Sequence, residues 1–165
     1  MENQIFLTSA DLQHFIEAQN IEATILSMAE HTPTVPDAAR ALGVEPEQII
    51  KSLVFLVYEE PLLVINNGLA KVDRRKVADR LGVGKKQVKF ASAEQALEIT
   101  GYVVGSMPPF GHRRKLRTLV DQAITGFQVI FGGGGDIDAM MRLTVAELLR
   151  VTEGEVTSVS EWANH

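Results

Sequence analysis

Two neighbouring apolar runs near the middle of the chain restrict its fold more than any other feature of the sequence. The first, SLVFLVY, covers residues 52–58, and the second, PLLVINNG, covers residues 61–68, with two glutamates between them. Short runs rich in Val, Leu and Phe favour buried strands, and a brief polar break between two such runs favours a hairpin. The sequence therefore predicts an antiparallel pair of strands at the centre of a sheet.

Helix signals occur on both sides of this hairpin. The segment VPDAARALG has Pro36 near its start and Gly43 just after its end, and Asp73 and Ser92 stand at cap positions before two further helical segments. Strands and helices do not alternate regularly, so we expect an α+β fold. We expect a single domain over residues 1–165, because this length suits one hydrophobic core and no linker is visible.

The composition argues against several classes of protein. The chain has no cysteine, which excludes disulfides, a thiolate nucleophile and a cysteine-ligated metal. None of the four histidines has the spacing of a metal site, so neither a metal nor another cofactor is expected. The apolar runs are shorter than the roughly 18 residues that cross a bilayer, and the first residues do not resemble a secretory signal. We therefore expect a cytoplasmic protein without a membrane partner.

The charges are distributed unevenly along the chain. The net charge is −5, yet residues 71–117 contain 12 of the 16 Lys and Arg residues and only four acidic ones. A solvated surface is one explanation of such a basic segment, and a phosphate-binding surface is the other. Under the second explanation, we expect contacts to RNA, but not to DNA, from Arg74, Arg75 and the run His112, Arg113, Arg114 and Lys115.

Lys51 and the loop GSMPPFG at residues 105–111 are the first candidates for chemistry. Lys51 precedes the first apolar run, where a lysine that merely reaches out to water is the commoner interpretation. The loop combines glycines at its ends with two adjacent prolines, Pro108 and Pro109, so it can hold backbone N–H groups in place for a ligand. A plain tight turn is the alternative.

A second glycine-rich stretch, Gly132–Gly135, follows the strand-like run FQVIF. Glycine at such a position allows another backbone or a flat ligand to approach closely, although the last of these glycines also fits a flexible turn. The stretch lacks the Gly-Lys-Ser/Thr ending of a phosphate-binding loop. No GxSxG motif or Ser-His-Asp arrangement can be assembled either. For His31, a position in a surface turn is the commoner interpretation, and a position facing a pocket is the alternative.

The order of these motifs resembles a known family. HTPTVPDAARALGVEPEQIIKSLVFLV, INNG, GYVVGSMPPFG, FGGGG and LTVAELLRVT follow one another from about residue 21 to residue 153. This order is similar to that of the YbaK/ProX family of aminoacyl-tRNA deacylases and of the editing insertion in bacterial prolyl-tRNA synthetases. The most specific parts are Lys51 and the Gly-x-x-x-Pro signature from Gly105 to Pro109.

The resemblance implies a mixed, partly barrel-like sheet flanked by helices, and hydrolysis of the ester between tRNA and a wrong amino acid. Lys51, Gly105 and Pro109 would be the catalytic residues, with no protein nucleophile. The remaining residues expected to bind substrate lie in the same motifs: His31, Ser52, Ser106, Met107, Pro108, Gly111, Gly132, Gly133 and Gly134.

The expected partner is aminoacyl-tRNA, with an aminoacyl-tRNA synthetase as a second one. The best-fitting substrate is tRNA(Pro) carrying a small residue such as Ala, Cys or Ser, because a synthetase pocket discriminates weakly against smaller side chains. One departure matters: the synthetase insertion has a pocket histidine near the later glycine-rich stretch, where this chain has only glycines. Side-chain specificity therefore does not transfer, and a non-catalytic tRNA- or synthetase-binding module remains the alternative function.

Overall fold

The structure, a computed structural model, describes residues 6–29 and 34–161. Within these ranges the helices are α1 (Ser9–Ala18), α2 (Val35–Leu42), α3 (Arg74–Leu81), α4 (Ala93–Thr100) and α5 (Val145–Thr152). The strands are β1 (Ala23–Ser27), β2 (Ile50–Val57), β3 (Glu60–Asn67), β4 (Lys71–Val72), β5 (Val88–Phe90), β6 (Arg117–Asp121), β7 (Val129–Gly133), β8 (Ala139–Thr144), β9 (Glu155–Thr157) and β10 (Ser160–Glu161). Short 3-10 turns cover Pro46–Gln48, Lys85–Gln87 and Gln122–Gly126.

The strands form two larger sheets and one short ribbon. The first sheet has the order β5-β2-β3-β6-β9, with antiparallel pairs around β2 and parallel pairs on both sides of β6. The second, β1-β8-β7, is antiparallel, and β4 pairs with β10. A parallel bridge between Ile49 and Phe131 joins the two larger sheets. The α+β class with mixed sheets is confirmed, and within the described residues the sheets do not close into a barrel.

The predicted hairpin is confirmed as β2 and β3, the second and third strands of the larger sheet. Val54, Leu63 and Ile65 pack into the main core, whereas Phe55 and Val64 belong to a second core that includes residues of α3 and β5. Burial on both faces explains why these strands are continuously apolar rather than alternating.

The helix signals in the sequence also correspond to real boundaries. The Thr34 side chain accepts a hydrogen bond from the Asp37 N–H at the start of α2, and Gly43 follows this helix with a φ of 71°. Asp73 caps α3, and Ser92 caps α4 by accepting from the Gln95 N–H. Residues in the first turns of α2 and α4 line one and the same cavity, which lies between these two helix starts.

Candidate active site

A cavity of about 370 Å³ opens beside the first half of β2, and we call it the Lys51 cavity. Its polar lining side chains are those of Thr34, Lys51 and Ser52. Apolar side chains from α2, β2, β5, α4 and β8 form most of the remaining wall, among them Val35, Ala38, Leu53, Val54, Phe90, Ala93, Ala96 and Met140. A concave, mostly apolar surface with a few polar groups is typical of a site for a small ligand.

The cavity lies where one edge of β2 has no neighbouring strand. β3 pairs with β2 along its whole length on the other edge, whereas β5 pairs with β2 only from Phe55 onwards. Pairing towards β7 is limited, among the described residues, to an isolated bridge at Ile49, just before β2 begins. The Val54 carbonyl accepts a hydrogen bond of 3.0 Å from the Ala91 N–H on this edge. Because strand backbone groups alternate with a period of two, the Ser52 N–H points to the same open edge and can donate to a ligand.

Lys51 contributes the one ionisable side chain among the described lining residues. Lys51 is half-buried, and its side chain forms no ion pair or hydrogen bond with another described residue. Burial lowers the pKa of Lys51 below its ordinary value of 10.5, because an ammonium loses hydration in an apolar surrounding. Its amine is therefore partly desolvated and available to a ligand.

The loop from Gly105 to Gly111 is held by hydrogen bonds from its second residue. The Ser106 N–H and hydroxyl both donate to the Val103 carbonyl, at 3.0 and 2.7 Å, and the Ser106 carbonyl accepts from the Gly135 N–H at 3.0 Å. Gly105 has a φ of 100°, a conformation that favours glycine, and it is exposed at the cavity. Ser106 therefore anchors the loop, and its substrate-binding role stays a prediction.

The glycine stretch makes room for this loop. A Cβ on Gly133 would lie 2.1 Å from the Met107 carbonyl oxygen, and one on Gly134 would lie 2.6 Å from the Ala139 carbonyl carbon. A Cβ on Gly132 would instead meet only side-chain atoms, with Ile50 the closest at 3.2 Å. Backbone packing of the loop on β7 thus explains why residue 133 is a glycine. Gly133 also lines the Lys51 cavity.

The predicted residues divide between two cavities. Those that line the Lys51 cavity are Lys51, Ser52, Gly105, Met107 and Gly133. A second cavity of about 410 Å³, which we call the His112 cavity, is lined by Pro109, Gly111, His112 and Lys115. Ser106, Pro108, Gly132 and Gly134 are buried and are not among the described residues that line either cavity. His31 lies outside the described residues.

His112 differs from the arginines that follow it. Its Nε2–H donates a hydrogen bond of 2.8 Å to the Pro108 carbonyl, and its ring meets that of Tyr102 edge to face. Burial lowers the pKa of His112 to about 4 from an ordinary value of 6.5, so the ring is neutral at pH 7. The ring supports the loop, and a contact of His112 to RNA would have to be made without a positive charge.

The predicted cationic residues are all exposed, but their charges are not equally available. Arg74 donates from Nε to the Val88 carbonyl at 2.9 Å, and Arg113 donates to the Glu98 carbonyl at 3.2 Å. Lys115 forms an ion pair with Glu153. Arg75 and Arg114 complete the set on the surface. Their binding to tRNA stays a prediction.

The sequence did not identify the apolar wall or one buried polar residue. Val35, Ala38 and Ala96 are ordinary helix residues in the sequence, and only the packing of α2 and α4 brings them to β2. Asn66 lies directly opposite Lys51 in the β2–β3 pair, fully buried, and its Oδ1 has no partner among the described residues. The INNG motif marks this position, but no spacing in the sequence connects it with a site.

Two other kinds of feature were not found in the part of the chain that the structure describes. No group of three or more His, Cys, Asp or Glu residues is arranged to hold a metal ion. No helix there is long and apolar enough to cross a membrane.

Comparisons with known proteins identify relatives by sequence and by structure. A family model for the aminoacyl-tRNA editing domain matches residues 29–151. The Bacillus subtilis protein YwhH, described as uncharacterized, is 29% identical over 136 residues, which cover 82% of this chain and 84% of YwhH. The proline–tRNA ligase of Limosilactobacillus fermentum is 35% identical over 108 residues, which cover 62% of this chain but only 18% of the ligase.

A solved structure shows the same fold. It is described as that of a candidate trans-editing enzyme for prolyl-tRNA synthetase, and it superposes with a TM-score of 0.87 at 29% identity, covering 93% of this chain and 97% of that one. The family model covers well over half of the chain, and the structural comparison agrees with the sequence comparison. The protein therefore belongs to the aminoacyl-tRNA editing domain family.

Proposed function

We propose that this chain is a trans-editing deacylase that hydrolyses the ester joining a small, wrong amino acid to tRNA(Pro). The observation that carries the proposal is the Lys51 cavity, where a partly desolvated amine, an open strand edge and a loop with exposed backbone meet beside an apolar wall. Residues 1–165 act as one editing domain in this proposal, in the cytoplasm where tRNAs are charged.

In the reaction, the oxygen of a water molecule bonds to the ester carbonyl carbon, and the bond from that carbon to the ribose oxygen breaks. The proton lost by the water goes to the ribose oxygen, so free amino acid and uncharged tRNA leave. The Ser52 N–H and the backbone at Gly105 stabilise the negative charge that develops on the carbonyl oxygen, because fixed amide donors need no reorganisation. The Lys51 amine orients the substrate by hydrogen bonding to its polar atoms.

None of the described lining side chains is a carboxylate or a histidine. General-base assistance therefore comes from the substrate in this proposal, through the neighbouring ribose hydroxyl or the amino acid itself. This matches an active site that positions and polarises an ester without supplying a nucleophile of its own.

The choice of substrate rests on the cavity and on the relatives. The wall of the cavity is mostly apolar and, among its described residues, has no charged side chain apart from Lys51, which suits a small, uncharged aminoacyl side chain. Such a cavity serves as a second sieve after a synthetase. A proline–tRNA ligase and a candidate trans-editing enzyme for prolyl-tRNA synthetase are among the similar proteins, which supports tRNA(Pro) as the carrier and a synthetase as a partner.

The test is to incubate the purified protein with tRNA(Pro) charged with alanine, serine, cysteine or proline, and to follow loss of the aminoacyl ester. We expect faster deacylation of at least one small residue and little action on proline. If the protein binds these tRNAs without accelerating hydrolysis of any of them, the non-catalytic binding module is the correct function instead.

A further inference from the structure

An exposed aromatic ring stands at the rim of the Lys51 cavity. Phe90, the last residue of β5, is 58% exposed although it lines the cavity. Its ring packs on the fully buried ring of Phe55, with centroids 4.5 Å apart and an angle of 39° between the ring planes. Phe55 therefore fixes the position of Phe90 and leaves much of its surface open to a ligand.

Three lysines lie immediately before this ring in the chain. Lys85 and Lys86 begin the 3-10 turn that leads into β5, and Lys89 is the neighbour of Phe90 within the strand. All three are exposed, and no described residue forms an ion pair or hydrogen bond with their side chains. Residues 71–90 contain eight basic residues and two acidic ones, which is half of all the Lys and Arg in the chain.

The other basic run of the chain is different. Lys115 is paired with Glu153, and Arg117 is paired with Glu155 through two hydrogen bonds of 2.8 and 3.0 Å. These acidic partners compensate part of the positive charge near residues 113–117. In the first basic run Arg80 is paired with Glu155 as well, but the side chains of the three lysines before Phe90 form no ion pair with a described residue. Lysine charges without a paired acid are therefore close to Phe90 in the chain.

We infer that Lys85, Lys86, Lys89 and Phe90 bind the single-stranded 3′ end of tRNA and lead it into the Lys51 cavity. The three lysines contact phosphates, and the Phe90 ring stacks with one unpaired base. An aromatic platform beside a line of cations is the combination that holds single-stranded nucleic acid without reading its sequence. This inference rests on the proposed function, since it takes tRNA as the substrate, but it concerns binding and can be tested without hydrolysis.

The first experiment measures binding of an uncharged tRNA(Pro) transcript by fluorescence anisotropy over a range of salt concentrations. The variant Lys85→Ala/Lys86→Ala/Lys89→Ala is expected to flatten the log–log dependence of affinity on salt by about two units, since each contact to a single strand contributes about 0.7. The matched variant Lys85→Arg/Lys86→Arg/Lys89→Arg keeps the charge and is expected to keep the slope. An unchanged slope in the alanine variant would overturn the inference.

The second experiment tests the ring with the same transcript. Phe90→Leu keeps an apolar side chain but removes the flat surface, and we expect affinity to fall by roughly tenfold with little change of salt slope. Phe90→Trp is expected to bind at least as tightly as the wild type. The control is Tyr58→Leu, which removes an exposed aromatic ring that does not line the Lys51 cavity. Equal losses in Phe90→Leu and Tyr58→Leu, or none in either, would contradict the inference.

Thermal melting of each variant shows whether a loss of binding reflects unfolding, and Phe90→Trp provides a second variant if Phe90→Leu does not fold. Hydrolysis of mischarged tRNA(Pro) by the wild-type protein separates the two proposals. Absence of hydrolysis together with Phe90-dependent binding would overturn the deacylase proposal alone, whereas hydrolysis together with unaltered binding in the variants would overturn the RNA surface alone.

Discussion

The same loop lines two cavities, and they differ in how their polar groups are used. Gly105 and Met107 line the Lys51 cavity, where the lysine amine has no partner among the described residues and the wall is apolar. The later residues of the loop line the His112 cavity, where His112 is bonded to the Pro108 carbonyl and Lys115 is paired with Glu153.

This difference indicates which cavity is prepared for a ligand. Polar groups that already have partners stabilise the protein, and a ligand must displace those partners before it can bind them. A partly desolvated group without a partner gains a hydrogen bond when a ligand arrives. We therefore propose that chemistry takes place in the Lys51 cavity, whereas the residues of the His112 cavity support the loop.

The largest effect is expected where the loop packs on β7. Gly133→Ala places a Cβ 2.1 Å from the Met107 carbonyl oxygen, a contact that only a backbone shift can relieve. We expect a loss of about 2–3 kcal/mol in the free energy of unfolding, together with a loss of deacylation of about a hundredfold or more. Urea unfolding and single-turnover deacylation measure the two effects.

Gly132→Ala is the matched control one residue earlier. Its Cβ would meet only side-chain atoms, those of Ile50 at 3.2 and 3.3 Å and Pro109 Cδ at 3.7 Å, and a small movement of the Ile50 side chain relieves the closest contacts. We expect less than about 1 kcal/mol of destabilisation and activity near that of the wild type. If both alanines have the same effect, the close approach of the loop at Gly133 is not what requires glycine.

The features that sequence patterns predicted correctly depend on neighbours in the chain. The hairpin of β2 and β3 follows from local apolar runs, and the cap of α4 requires only that Ser92 and Gln95 stand three positions apart. The packing of Gly133 on Met107 could not be predicted in this way, since the two residues are far apart in sequence and meet only in the folded chain.

The division of the loop between two cavities is also a tertiary feature. Gly105 and Pro109 form one sequence signature, yet Gly105 lines the Lys51 cavity and Pro109 lines the other. The open edge of β2 arises because β5 is short and β7 diverges after one bridge, and strand length and partner choice are set by the whole sheet. The roles of Lys51, Gly105 and Pro109 in catalysis stay predictions that mutation can test.

The second prediction addresses the lysine that distinguishes the Lys51 cavity. Lys51→Ala is expected to lower deacylation at least about tenfold, because the substrate loses a positioned hydrogen-bond donor. The melting temperature should stay the same or rise, since a half-buried cation without a described partner contributes little to stability. Single-turnover rates on mischarged tRNA(Pro) provide the measurement.

Lys51→Met is the control for side-chain length, and it should be as inactive as the alanine variant. In the wild type, activity is expected to decline at high pH with an apparent pKa below 10.5, because burial lowers the pKa of this amine. Wild-type rates in both variants on every mischarged tRNA tested would remove Lys51 from the mechanism.

The third prediction concerns the basic residues near the His112 cavity. Replacing Arg113, Arg114 and Lys115 together with alanine is expected to weaken tRNA binding several-fold and to flatten its salt dependence by about two units. Lys115 should contribute least, because Glu153 already compensates its charge. Anisotropy with the single variant Lys115→Ala tests this ranking, and wild-type affinity and slope in the triple variant would show that the run is only a solvated surface.

The smallest effect is expected from the ring that supports the loop. Burial lowers the pKa of His112 to about 4, whereas the unfolded chain has the ordinary value of 6.5, so between these values the unfolded state binds a proton that the folded state does not. Stability contributed by the neutral ring is therefore present above pH 6.5 and is lost as the pH falls towards 4. Because the ring is only partly shielded from water, we expect a loss of about 1 kcal/mol between pH 6.5 and 4.5.

In His112→Gln the amide can still donate to the Pro108 carbonyl but does not titrate, so the stability of this variant should be nearly constant over this interval. The interval from pH 6.5 to 4.5 excludes the titration of carboxylates with lowered pKa values, such as Glu147 with a pKa of about 2. Their contribution to the free energy of unfolding is lost only below pH 4.5. Urea unfolding at several pH values measures the slope, and an equal slope in both proteins would show that His112 is not buried in its neutral form.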